Sequence, residues 1–149
     1  MGGGSFPGGG VVLALVVLLC AVAGTTLVVL ARRRSRPDAP TPADRRRALA
    51  DAAGAAELTE GGVALLLFSR ASCPRCGDTR AVVTGMAAEH AAVQHREVDV
   101  ADRSDLVTTL GVRTTPTVVV VDASGSELLR VAGVPRREDL AAALAPHLS

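Results

Sequence analysis

The sequence predicts an α/β fold in which helices cover both faces of a mixed four-stranded sheet, preceded by one transmembrane helix. Three observations lead to this prediction. Apolar runs short enough for strands alternate with segments of helical periodicity from about residue 60 onward. The resulting order, β-α-β-α-β-β-α, combines parallel crossovers with one antiparallel hairpin. A long uncharged run comes before all of them.

The uncharged run comprises the 21 residues 11–31. As a helix it is about 30 Å long, which matches the hydrocarbon core of a bilayer. The tail over residues 1–10 is Gly-rich and lacks the basic side chains that begin a signal peptide. Because four arginines lie between residues 32 and 36, the positive-inside rule predicts a single-pass membrane protein with its C-terminal domain in the cytoplasm.

The first half of the C-terminal domain follows a basic, proline-containing linker over residues 32–43. The domain itself is expected over residues 44–149, and it opens with an Ala- and Arg-rich helix over 44–56. Residues 63–69 are almost continuously apolar, which is typical of a strand buried on both faces. Residues 76–92 show helical spacing, with Val82, Val83 and Met86 on one face.

The second half of the domain supplies three strands and two helices. Residues 95–100 alternate as a strand, and residues 103–110 form a short helix that Gly111 ends. The last two strands, 117–121 and 127–132, flank a hairpin turn over residues 122–125. Residues 135–148 form an amphipathic terminal helix in which Leu140, Leu144 and Leu148 are in register.

Composition narrows the classes of partner. All sixteen basic residues are arginine, and the only aromatic residues are Phe6 and Phe68. With so few aromatic side chains, the stacking of bases on aromatic rings is nearly excluded, so we expect no nucleic-acid partner. Residues 32–47 carry seven arginines against two aspartates, a net charge of +5. Residues 48–149 carry nine arginines against thirteen carboxylates, a net charge of −4.

The strongest chemical signal is the motif Cys73-Pro74-Arg75-Cys76 between the first strand and the next helix. Two thiols three positions apart can close a small disulfide. A helix N-terminus favours negative charge and lowers the pKa of the first thiol, as does Arg75. The pattern therefore indicates a dithiol that exchanges with disulfides.

Two other interpretations of the cysteine pair are a zinc site and a structural disulfide. Zinc needs four ligands, but the remaining cysteine, Cys20, lies in the apolar run, and His90 and His95 are poorly placed to share one ion. A structural disulfide over so short a loop would stabilise the fold little. We expect no metal and no cofactor.

The cysteine motif, the element order and the stretch of residues 111–117, which contains Thr115-Pro116, together resemble the thioredoxin family over roughly residues 45–149. The resemblance implies that Pro116 follows a cis peptide bond beside the disulfide and that Thr115 pairs through its backbone with an extended substrate. It also implies substrate contacts for Pro74 and Arg75.

This sequence departs from the thioredoxin pattern at three places. Ser72 stands where thioredoxins usually carry Trp, and Pro-Arg replaces Gly-Pro between the cysteines. Leu67 replaces the buried Asp that helps to move a proton from the second thiol. Glu97 and Asp99, at alternate positions of a predicted strand, are candidates to replace that acid.

Resemblance and thiol chemistry together predict a membrane-tethered reductase of protein disulfides. Cys73 attacks the substrate, and Cys76 resolves the mixed disulfide. The expected partners are membrane-associated disulfide proteins and a reductase or low-molecular-weight thiol that recycles the pair. The alternatives are an extracytoplasmic thiol–disulfide protein for envelope or cytochrome maturation and a non-catalytic thioredoxin-like adaptor.

Overall fold

The computed structural model describes residues 8–34 and 39–148 and divides the chain into two units, Met1–Ala39 and Pro40–Ser149. The first unit contains helix α1 (Gly8–Arg34), which includes the apolar run. No helix within the described ranges is both long and apolar enough to cross a membrane. The predicted transmembrane segment over 11–31 is therefore helical but is not confirmed as a membrane span. Most of the predicted Gly-rich tail and residues 35–38 of the linker lie outside the described residues.

The second unit alternates helices and strands in the predicted order. Its elements are α2 (Pro42–Ala53), a 3-10 turn (Ala55–Glu57), β1 (Val63–Ser69), α3 (Cys76–Glu89), β2 (Val93–Asp99), α4 (Ser104–Leu110), β3 (Thr117–Asp122), β4 (Glu127–Ala132), α5 (Arg137–Leu144) and a second 3-10 turn (Ala145–His147). The sheet order is β2-β1-β3-β4. Strand β1 pairs parallel with β2 and antiparallel with β3, and β3 pairs antiparallel with β4. The prediction of a mixed four-stranded sheet is confirmed.

Several helix ends differ from the predicted ones for local reasons. Helix α2 begins at Pro42 because Thr41 caps it: the Thr41 hydroxyl accepts from the Asp44 amide at 3.1 Å, and the Asp44 carboxylate accepts from the Thr41 amide at 3.0 Å. Helix α3 ends at Glu89 because the next residue is extended. Helix α5 ends at Leu144, since Pro146 lacks the amide that would continue it.

The sheet carries a buried cluster on each face, and every residue of β1 is buried. One cluster packs α2 and α4 onto the sheet and includes Leu49, Leu66, Phe68, Leu106, Leu110 and Val119. The other packs α3 and α5 and includes Leu65, Leu67, Val83, Met86, Val118 and Leu140. Helices therefore cover both faces of the sheet, as predicted. This packing fixes the end of β1 and the start of α3, between which the cysteine motif lies.

Candidate active site

A disulfide joins Cys73 to Cys76 at the start of α3, with the two Cα atoms 5.5 Å apart. Cys76 is buried, with 3% of its surface exposed, whereas Cys73 is half-buried. The Cys73 amide donates to the Arg70 carbonyl at 3.0 Å, which holds the loop between β1 and α3 in a turn. Cys73 is thus the more accessible of the two cysteines.

The N-terminus of α3 supplies the electrostatics of the pair. Arg75 is the N-cap, and its carbonyl accepts from the amide and the hydroxyl of Thr79 at 3.2 and 3.1 Å. Fourteen aligned peptide groups direct the positive end of the helix dipole at the motif. A thiolate on Cys73 is stabilised there once the disulfide opens.

A cavity of about 200 Å³ lies beside the disulfide. Both cysteines line it, together with Ser69, Arg70, Arg80, Glu97 and Asp99. Its walls therefore come from the end of β1, the first turns of α3 and strand β2. Two carboxylates and two guanidinium groups therefore line the same cavity as the disulfide.

The side chains of Arg80 and Glu97 form a two-point ion pair in this cavity. Arg80 Nε donates to Glu97 Oε2 at 2.7 Å, and an Arg80 terminal nitrogen donates to Oε1 at 2.6 Å. The hydrogen bond from Arg80 is the main cause that lowers the pKa of Glu97 from 4.5 to about 2, and Ser69 contributes in the same direction. The hydrogen bond with Glu97 in turn raises the pKa of Arg80. Both groups are charged at neutral pH.

Glu97 lies beside the position where thioredoxins carry their buried acid. Leu67 occupies that position and is fully buried, and the parallel register of β1 and β2 makes Glu97 its neighbour on the same sheet face. A carboxylate with a pKa of about 2 is, however, a poor proton acceptor for a thiol of ordinary pKa, about 8.5. Glu97 therefore lines the same cavity as the two cysteines, but its pairing with Arg80 makes it unsuited to accept a proton.

Asp99, the second candidate acid, lies at the end of β2 and also lines the cavity. It is the register partner of Ser69. Its carboxylate accepts from the Ala101 amide at 2.8 Å, which closes the turn after the strand. Asp99 therefore stabilises the turn that follows β2.

The predicted substrate-binding residues fall into two groups. The peptide bond between Thr115 and Pro116 is cis, and the Pro116 carbonyl accepts from the Gly133 amide at 2.7 Å. Thr115 lines a second cavity of about 290 Å³. Pro74 and Arg75 are exposed between the cysteines, and with Pro116 they line neither cavity.

Arg70 joins the two parts of the site because it lines both cavities. Arg113 also lines the second cavity, and no pattern in the sequence points to it. In the sequence, Arg80 is only one of several positive charges near the motif. Its spacing of four residues from Cys76 places both on one helix face, which is the signal that could have identified it as part of the site.

Comparison with known proteins agrees with this fold. A family model described as a thioredoxin-like domain matches residues 49–147. The chain therefore belongs to the thioredoxin-like family, as the sequence resemblance predicted. No curated protein matches the chain. The thioredoxin-like domain and its close cysteine pair are consistent with thiol–disulfide redox activity.

Solved structures with a similar fold include three thioredoxins. The thioredoxin from Nicotiana alata is 25% identical with a TM-score of 0.53, and the match covers 60% of this chain and 76% of that one. A mutant thioredoxin from Halobacterium salinarum is 24% identical with a TM-score of 0.53, over 60% and 78% of the two chains. The thioredoxin from Fasciola hepatica is 22% identical with a TM-score of 0.53, over 73% and 96%. The last two likenesses concern the fold.

Proposed function

We propose that this chain is a protein-disulfide reductase that works through the Cys73–Cys76 pair. The observation that carries the proposal is the disulfide at the start of α3, which joins a half-buried cysteine to a buried one inside a thioredoxin-like domain. Accessibility gives the order of the two thiols. The helix N-terminus favours the thiolate that the first step needs.

The reduced protein starts the cycle. The Cys73 thiolate attacks one sulfur of the substrate disulfide, so a mixed disulfide forms and the other substrate sulfur leaves as a thiolate, which takes a proton from solvent. Cys76 then loses its proton to solvent, and its thiolate attacks the Cys73 sulfur. The Cys73–Cys76 bond forms again, and the second substrate sulfur leaves as a thiolate that takes a proton from solvent. Two electrons have passed to the substrate. A reductase or a low-molecular-weight thiol returns two electrons to the protein.

Cysteine variants test the proposal. Cys76→Ser should accumulate a mixed disulfide with a peptide substrate, visible by mass spectrometry, because the resolving thiol is missing. Cys73→Ser should form no adduct and reduce no substrate. Cys20→Ser is the matched control, because this cysteine lies in α1 outside the domain. If Cys73→Ser reduces no substrate but still supports the full function of the protein in cells, the reductase proposal fails and the non-catalytic adaptor hypothesis remains.

The reduction potential tests the direction of electron flow. Equilibration of the full-length protein with glutathione or dithiothreitol buffers should give a value near that of thioredoxin, about −270 mV. A value of about −120 mV, typical of a strong oxidant, would contradict the reductase proposal and favour an oxidising role. Absence of a reversible two-electron couple would rule out both.

We further propose that the domain is tethered to a membrane with the domain on the cytoplasmic side. The support is in the sequence: 21 uncharged residues are followed at once by arginines. Confinement to a surface raises the effective concentration of membrane-associated substrates without any new contact.

Fractionation and a C-terminal reporter test the tether. The full-length chain should stay with membranes through an alkaline carbonate wash, and the reporter should be protected from added protease in intact cells. Release by the wash would contradict the tether. A cleaved reporter would contradict the cytoplasmic placement and favour thiol exchange in the envelope.

A further inference from the structure

Three arginines near the disulfide stand apart from the other arginines of the domain. Residues 48–149 contain nine arginines. Six of them form ion pairs, namely Arg80, Arg96, Arg103, Arg130, Arg136 and Arg137. The remaining three, Arg70, Arg75 and Arg113, have no ion-pair partner among the described residues. All three are exposed.

Two of these arginines line the second cavity, which we call the arginine groove. It consists of Arg70, Arg113, Thr114 and Thr115 with Val100, Val107 and Val112, and its volume is about 290 Å³. None of these described lining residues carries a carboxylate. The cavity at the disulfide differs, because Glu97 and Asp99 balance its two arginines. The arginine groove therefore has an excess of positive charge beside hydroxyl groups and apolar valines.

The arginine groove adjoins the disulfide cavity at Arg70. Arg70 lines both cavities, and its carbonyl accepts from the Cys73 amide at 3.0 Å. Thr115 lies directly before Pro116, where β3 is about to begin. A chain whose sulfur reaches Cys73 can therefore place its neighbouring residues in the groove.

The chemistry of the groove favours a carboxylate. A guanidinium group binds a carboxylate through two parallel hydrogen bonds, and an arginine without an internal partner has these donors free. Residues 48–149 carry a net charge of −4, so long-range attraction does not explain a preference for acidic partners. Selection must come from contacts inside the groove.

We propose that the arginine groove selects disulfide substrates that carry an acidic side chain a few residues from the reactive sulfur. The inference rests on the proposed reductase function and adds the substrate class to it. Arg113 is the specificity-determining residue, because it lines only the groove. Arg70 contributes from the boundary with the disulfide cavity.

Paired peptides test the proposal on the full-length protein. Two disulfide peptides of equal length differ only in Glu or Gln three residues from the cysteine. The Glu peptide should show roughly 5- to 10-fold higher kcat/KM, and added salt should reduce the ratio. Arg113→Gln should bring the ratio close to one, and Arg113→Glu should reverse it. Arg47→Gln removes an exposed arginine of α2 that does not line the groove, and it should keep the ratio.

The outcomes separate this proposal from the reductase proposal. The groove proposal would be contradicted if the wild-type protein reduced both peptides equally, or if Arg113→Glu kept the preference for the Glu peptide. Either result would leave the reductase proposal intact. If neither peptide is reduced, the reductase fails. Fluorescence anisotropy with the same peptides carrying Ser in place of Cys then tests the groove without redox chemistry. Tighter binding of the Glu peptide, lost in Arg113→Gln, would support the groove, and equal binding of the two would overturn it.

Discussion

Arg80 and Glu97 place a charged pair in the cavity that contains both cysteines. Arg80 lies one helical turn after the buried Cys76, and Glu97 reaches it from the neighbouring strand β2. The pair as a whole is neutral, so its field at the cysteines is small. Removal of either partner leaves the other charge beside the thiols. The pair therefore offers a test of how the surroundings set the reactivity of Cys73.

We expect opposite effects from the two single variants. Glu97→Gln leaves Arg80 positive, which should lower the thiol pKa of Cys73 and make the disulfide more oxidising. Arg80→Gln leaves Glu97 negative and should raise the thiol pKa and lower the potential. Thiolate absorbance and equilibration with glutathione measure both quantities.

The Glu127–Arg130 pair on β4 provides the control for this test. It has the same two-point geometry, with distances of 2.8 and 2.6 Å, and neither residue lines the disulfide cavity. Glu127→Gln should leave the thiol pKa unchanged. Shifts of equal sign in Glu97→Gln and Arg80→Gln would show that the pair acts only by holding α3 to β2.

The same ion pair predicts a pH dependence of stability. The pKa of Glu97 is about 2 in the folded protein against an ordinary value of 4.5, so folding favours the ionised carboxylate. Its contribution is fully present above about pH 4.5 and is lost as the pH falls toward 2. Because the pair is partly solvated, we expect a loss of roughly 1 kcal/mol.

Urea unfolding of wild type and Glu97→Gln at pH 7, 4 and 2.5 measures this contribution. The free energy of unfolding of the wild type should fall more steeply than that of the variant between pH 4 and 2.5. Parallel curves for the two proteins would mean that Glu97 does not gain stability from ionisation in the fold.

At the scale of elements, the hairpin between β3 and β4 packs closely against α2. Gly125 in its turn has a φ of +79°, and a Cβ there would meet the Arg46 carbonyl oxygen at 2.6 Å and the Ala50 Cβ at 2.8 Å. Gly61, before β1, has nearly the same φ of +77° but open space around it. Both glycines therefore need a positive φ, but only Gly125 lies so close to α2 that a side chain would not fit.

Alanine substitution at these two glycines should therefore separate strain from packing. Gly61→Ala should cost about 1 kcal/mol, which is the penalty for a left-handed residue with a side chain. Gly125→Ala should cost roughly 1–3 kcal/mol more, because the helix or the turn must move. Chemical denaturation of both variants measures the difference, and equal losses would contradict the close approach of the turn to α2.

Local patterns account for the part of the fold that was predicted from sequence. The apolar run ending at Ser69 and the helix beginning at Cys76 were both placed correctly, because strand burial and helix periodicity are local properties. Strand β2 begins at Val93, two positions before its predicted start, because Val93 pairs with the first residue of β1. Such pairing is not visible in the segment itself.

The site was predictable only where it depends on short spacing. The cysteine motif and the Thr115-Pro116 pair each consist of residues that are close together in the chain, so each can be identified from the sequence alone. The contact between Arg80 and Glu97 joins residues 17 positions apart, and it exists only because the register of β2 on β1 brings Glu97 to the α3 face. The arginine groove likewise depends on the approach of the loops after β1 and α4.

At the scale of the whole molecule, the second unit contains everything that the proposed chemistry uses. Both buried clusters lie within Pro40–Ser149, and the family match over residues 49–147 lies inside the same unit. The capping box of Thr41 and Asp44 begins its first helix. The start of the domain predicted from the sequence, residue 44, is the second residue of this capping box, so the prediction leaves out Thr41.

We expect residues 40–149 to fold alone and to keep the midpoint of thermal unfolding and the reduction potential of the full chain. A shorter fragment, residues 45–149, lacks both members of the capping box and should lose roughly 0.5–2 kcal/mol of stability, because the first amides of α2 lose their acceptor. Circular dichroism and glutathione equilibration measure the two properties. A lower midpoint for residues 40–149 than for the full chain would mean that the first unit stabilises the domain.

The same fragment tests what the proposed tether contributes. With its groove and cysteines intact, residues 40–149 should reduce a soluble acidic peptide as fast as the full-length chain does. A second comparison uses a disulfide substrate anchored in liposomes. The full-length chain, reconstituted into the same liposomes, should reduce this substrate faster than the fragment added from solution, because only the anchored protein gains from confinement to the surface. Equal rates on the anchored substrate would show that confinement adds nothing. A slower rate on the soluble peptide would instead show that residues before 40 take part in the chemistry.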